Sequence, residues 1–145
     1  MSDQQGGPEV KCVAVVQCAV AKERCSGAHC ALAFHRREHH FAGYGADVLY
    51  VSFSCGGCPG RRVSRLAANL KRRLSKDAGI EPGEIVVHLS ACVVNESGHY
   101  PACPHLNDIK AILARKGLAV VEGSYVSAAA EERRRTGYYR TFDQP

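Results

Sequence analysis

The sequence predicts an α/β domain: a single-layer parallel sheet of about four strands with helices on both faces. Three observations predict it. Four short apolar runs, VKCVAVVQ (10–17), DVLYVSF (47–53), EIVVHLS (84–90) and LAVVEG (118–123), are rich in β-branched residues and nearly continuous, the pattern of strands buried on both faces. Between them the apolar period changes from about 2 to about 3.6, as in amphipathic helices. Strand and helix alternate, and that order calls for parallel strands joined by right-handed crossovers.

Residues 1–9 read as a flexible lead. The first strand, 10–17, is followed by SGAHCALAFHRREHHF, expected to be helical from Ser26 as N-cap. After the second strand, RRVSRLAANLKRRLSK (61–76) places Val63, Leu66, Ala67, Leu70 and Leu74 on one helical stripe. After the third, HLNDIKAILARKG does the same with Leu106, Ile109, Ile112 and Leu113, and Gly117 is a natural stop. The domain thus runs over 10–125 as a flavodoxin-like or Rossmann-like layer. Residues 126–145, with EERRR and TGYYRTFDQP, form a basic extension, either a further helix or an arm. There is no internal repeat.

At 145 residues the chain is long enough to bury one core without covalent staples. A net charge of +5 is modest, and the basic residues gather in 61–76 and in the tail. A basic helix can follow phosphates, but it is more often a solvated face, so a nucleic-acid-binding regulator is the weaker expectation. The run VAVVQCAVA is too short to span a bilayer, and MSDQQGGPEVK lacks the layout of a signal peptide. A cytoplasmic protein with reduced thiols and no membrane partner is therefore expected.

The cysteines are the informative residues. Eight accompany seven histidines. Cys18 follows the first strand, Cys55 and Cys58 the second, and Cys92 the third, with Cys103 in the loop beyond. Cys25 and Cys30 lie in the loop and first helical turn after the first strand, whereas Cys12 sits inside a strand as a small core residue. In an open parallel sheet all strand-to-helix loops emerge at the carboxyl edge, where such folds place ligands. Neighbouring strands are about 4.8 Å apart, so strand-end thiols can share a metal or cluster. Cys58-Pro59 and Cys103-Pro104 suggest cysteines at helix N-caps, where the dipole favours thiolate. Gly56 and Gly57 leave room for backbone amides to approach sulfur.

The strand ending in Cys18, the C-x6-C-x4-C of Cys18, Cys25 and Cys30, CGGCPG at 55–60, VHLSAC ending in Cys92, and PACPH at 101–105 occur in one order. In that order they resemble the CGGC-domain family of prokaryotic proteins, from about Val10 to Gly123. The resemblance implies metal ligation by cysteines and histidines, commonly zinc. Members often carry Phe after the third cysteine, where this chain has Ala31. They often have a histidine near the end of the last strand, where this chain reads Gly123-Ser124-Tyr125.

The expected metal site comprises Cys18, Cys25, Cys30, Cys55, Cys58, Cys92, Cys103 and His105. An iron–sulfur cluster and zinc both remain open: seven thiols exceed what one zinc uses, and Cys-Pro steps accompany clusters. A redox or sensing role would bring in a redox partner protein. The alternative is a thiol–disulfide oxidoreductase using Cys55 and Cys58. No hydrolase, P-loop or dinucleotide motif occurs, and no catalytic residue is assigned. His35 and His39 have metal-binding spacing but lie among charges, and His29 is a weak ligand candidate. His88 reads as a satisfied core residue, and His99 as a loop residue.

Overall fold

In the computed structural model the described residues are 9–23, 25–57, 60–94, 103–125, 132, 135 and 136. Cys58, His99 and nearly all of the lead and the basic extension lie outside them. Four strands form one sheet: β1 (Cys12–Gln17), β2 (Leu49–Ser54), β3 (Ile85–Leu89) and β4 (Ala119–Glu122). Every pairing is parallel, in the order β2-β1-β3-β4. This is the order of the first four strands in a flavodoxin-like layer.

The helices are α1 (Ala28–Arg36), α2 (Arg62–Ala78), α3 (Ala91–Val94) and α4 (Leu106–Arg115). Strand β1 is buried throughout because both its faces are covered. Its even-numbered residues Cys12, Ala14 and Val16 pack with Val63, Ala67 and Leu70 of α2 and with Leu106, Ile109 and Leu113 of α4. Its odd-numbered residues Val13 and Val15 pack on the opposite face with Ala33 and Phe34 of α1 and with Phe41. The period of two along a strand produces this division.

The α2 and α4 stripes follow the expected periodicity, although Leu66, Leu74 and Ile112 are only half-buried. Two of the four strands depart from burial on both faces. As the sheet edges, β2 and β4 expose Leu49 (44 %) and Val121 (36 %). An apolar run encodes a strand but not its neighbours.

Helix entries differ too. Gly27, in the left-handed region at φ 86°, occupies the α1 N-cap, and Ser26 Oγ accepts the Ala28 N–H from one position earlier. At α4 the N-cap is His105, not Cys103; residues 104 and 105 form a turn ahead of the helix. At α2 the N-cap is Arg61, because Gly57 O and Gly60 O first accept the amides of Gly60 and Val63 in a turn.

His88 is fully buried in β3 and satisfied on both nitrogens, with Nε2 2.8 Å from Tyr44 Oη and Nδ1 2.8 Å from Gly123 O. Because a carbonyl only accepts, Nδ1 carries the proton of a neutral ring, and the tyrosine donates to Nε2. Burial holds the His88 pKa below its ordinary 6.5; the Gly123 carbonyl opposes this, and the nearby His40 reinforces it. Below about 6.5 the unfolded chain gains a proton that the folded chain does not, so stability falls with acidification. The contribution of neutral His88 is complete above that pH and lost as pH drops through the depressed folded value. Urea unfolding measured across pH is expected to show this acid slope, and His88→Leu to lack the His88 share of it.

Candidate metal centre

The carboxyl edge is built as a row of strand ends. Cys55 directly follows β2, Cys18 follows β1, Cys92 lies three residues beyond β3 in α3, and Ser124 lies two residues beyond β4. The order along the edge is therefore Cys55, Cys18, Cys92, Ser124. The chain leaves β1 toward β2 on one side and reaches β3 on the other, so the switch point where such sheets bind ligands falls between the ends of β1 and β3. Cys18 and Cys92 flank that point.

Cys30 lies within electrostatic reach of the same point. Cys92 Sγ lies 2.8 Å from Ser90 Oγ and close to the backbone amide of Cys18. Burial pushes the Cys92 thiol pKa above its ordinary 9.0; these two contacts pull the other way, and the Cys18 and Cys30 sulfurs add repulsion. Cys18 and Cys30 are thus both near enough to act on the charge of Cys92. Cys30, in the first turn of α1, reaches across to Ser124 Oγ at 3.2 Å.

Two further cysteines adjoin this trio through the backbone. Cys55, 6 % exposed, accepts the Ala19 N–H at 3.4 Å, and its own amide donates to Gln17 O at 2.9 Å. Cys103 is anchored to α3 by its amide, which donates to Val93 O at 3.0 Å, and its sulfur accepts the His105 N–H at 3.3 Å. The expected N–H donation to sulfur is present at Cys103, but it comes from a local turn and not from a helix cap. The His105 ring lies over its own helix, with Nδ1 3.8 Å from Asp108 Oδ2. Cys25 is half-buried, its amide bonded to Ala21 O at 2.9 Å. Among the described residues no hydrogen bond or ion pair ties the Cys25 thiol to the others.

None of the seven described cysteines is in a disulfide. Cys12 is a core residue, its thiol pKa pushed up to about 11 by burial. Among the described residues no three His, Cys, Asp or Glu side chains are gathered so as to hold a metal ion. The donor chemistry nevertheless suits a soft metal, since clustered thiolates select zinc, copper(I) and iron–sulfur clusters.

The CGGC loop needs its glycines. Gly56 and Gly57 have φ of 78° and 106°, and a Cβ on Gly56 would lie 2.6 Å from the Arg62 side chain. Two histidines gather at Tyr125, the residue after Ser124. His29 stacks on Tyr125 at 4.6 Å, and His39 meets the same ring edge-on at 5.3 Å. Helix α1 ends at Arg36 and His39 has φ of 59°, so His35 and His39 do not share a helical face. An open groove of about 770 Å³ beside the β2 edge, lined by Phe34, His35, Arg37, Tyr44 and Tyr50 among others, contains none of the thiols.

Sequence reasoning missed Ser90 and Ser124, both fully buried at the edge. The available signal was positional: each follows a strand as the cysteines do.

Fold and site together define a parallel α/β domain whose carboxyl edge carries thiols. Residues 12–125 match the CGGC domain, and the chain belongs to that family. No curated protein and no solved structure matches it. Among the described residues no helix is long and apolar enough to cross a membrane.

Proposed function

We propose that this domain binds a metal ion or an iron–sulfur cluster at the carboxyl edge of its sheet, in a redox or sensing role. The observation that carries the reading is that Cys18 and Cys92 flank the switch point of the sheet, with Cys18 and Cys30 both close enough to act on charge at Cys92. Membership of the CGGC family supports it.

Cys18, Cys30 and Cys92 form the centre of the proposed site. Cys55, Cys58, Cys103 and His105 are candidates to complete it, with Cys25 at its margin. Strand spacing limits the set. Four strand ends cover about 14 Å, whereas a zinc–sulfur bond is about 2.3 Å, so one ion takes neighbouring thiols only. A cluster, which is larger, accommodates more of the row. The 6 % exposure of Cys55 speaks against that sulfur as the attacking thiol of an oxidoreductase, because attack requires access.

The test is anaerobic purification followed by metal and sulfide analysis and a visible spectrum. A cluster is expected to give iron, acid-labile sulfide and visible absorption; zinc is expected to give a colourless protein with a stoichiometric ion. Protein that takes up neither iron–sulfur nor zinc, with all its cysteines titrating as thiols, would overturn the reading.

A further inference from the structure

Three strands of the sheet are followed by cysteine at the carboxyl edge, and the fourth is followed by Ser124. This serine is fully buried. Its Oγ has two partners: the Ala91 N–H donates to it at 3.2 Å, and the Cys30 sulfur lies 3.2 Å away. A hydroxyl has one proton and two lone pairs. With the Ala91 amide occupying one lone pair, a proton and a second lone pair remain for Cys30: the hydroxyl can accept from a thiol, and it donates to a thiolate, which can only accept. Ser124 therefore touches both thiol-bearing elements, Cys30 of α1 directly and α3 through the amide preceding Cys92.

The serine is itself held. The amide of Gly123 donates to Leu89 O at 2.7 Å, and Gly123 O receives the His88 ring at 2.8 Å. Ser124 O accepts the His40 amide at 3.4 Å and lies 3.1 Å from His40 Nδ1. A hydroxyl at the end of a backbone fixed on so many sides is a rigid partner, and a rigid partner sets the orientation of the group it binds.

The geometry points to Ser124 as a positioning residue of the thiol site: its hydroxyl hydrogen-bonds the Cys30 sulfur, as donor once that sulfur is a thiolate, and holds it at a fixed place relative to α3 and Cys92. The contact itself stands without a metal; its consequence for affinity rests on the metal-binding reading above.

A double-mutant cycle in the full chain separates the two. In the metal-free protein, Ser124→Ala and Cys30→Ala are each expected to lower the urea midpoint, and the double variant to unfold close to the worse single one. Ser124→Thr, which keeps the hydroxyl, is expected to restore the wild-type midpoint. With cobalt(II) as the probe, Ser124→Ala is expected to weaken binding about 10- to 100-fold and to shift the thiolate-to-cobalt absorption, with no added loss in the Cys30→Ala background. Additive effects of the two substitutions in both measurements would overturn the proposal. Wild-type protein that takes up no cobalt while the urea cycle stays non-additive would remove the metal reading and uphold the Ser124–Cys30 contact.

Discussion

Cys92→Ser is expected to lower metal retention by more than about 100-fold, since even partners outside a coordination shell are worth about 10- to 100-fold. Cys92 is the thiol on which the others act. It lies close to the Cys18 amide, feels the Cys18 and Cys30 sulfurs, and sits beside Ser90 Oγ at 2.8 Å at the switch point. A serine there keeps the volume but gives a harder, far less acidic oxygen, a poor ligand for soft metals. Cys12→Ala provides the comparison: it removes a thiol from the centre of β1, well inside the core, and is expected to leave retention unchanged. Metal content after gel filtration of the two variants checks both statements. Equal retention by wild type and Cys92→Ser would take Cys92 out of the site.

Phe41→Ala is expected to cost about 3–5 kcal/mol of folding stability, the range for emptying a buried aromatic position. Phe41 is fully buried and lies outside the regular helices and strands, in a single 3-10 turn, His39–Phe41. Its ring centroid lies 5.5 Å from that of Phe34, 6.4 Å from Tyr50 and 4.9 Å from His88, so one side chain joins α1, β2 and β3 on the α1 face. That face has a smaller core than the α2–α4 face, with fewer residues to collapse into the space left behind. Against a typical total of about 5–15 kcal/mol the loss is large, and it reads directly as a lower urea midpoint. Phe53→Ala, at a half-buried position in the edge strand β2, is expected to cost less. A Phe41→Ala midpoint no lower than that of Phe53→Ala would show that the α1 face contributes little.

The parallel α/β layer was legible because continuous apolar runs and 3.6-period stripes report burial locally, residue by residue. Val63, Ala67 and Leu70, and likewise Leu106, Ile109 and Leu113, could be placed on buried stripes from spacing alone. Caps were harder. Ser26 and Cys103 each fall near a helix start, yet Gly27 and His105 occupy the cap positions, because local turns absorb the preceding residues before helical bonding begins. Phe41 was read only as the end of a helical stretch, since a single 3-10 turn carries no periodicity to detect.

That cysteines follow three of the strands could be read from residue order alone, and parallel topology then requires those strand ends to share one edge. Which sulfurs are neighbours depends on the packed fold. Strand order places β1 between β2 and β3, so Cys18 stands between Cys55 and Cys92, and the packing of α1 brings Cys30 to Ser124 across 94 residues of chain. Hydrophobic pattern records how deeply a residue is buried, but lateral order and side-chain contacts depend on which surfaces fit together, and that information is spread over the whole chain.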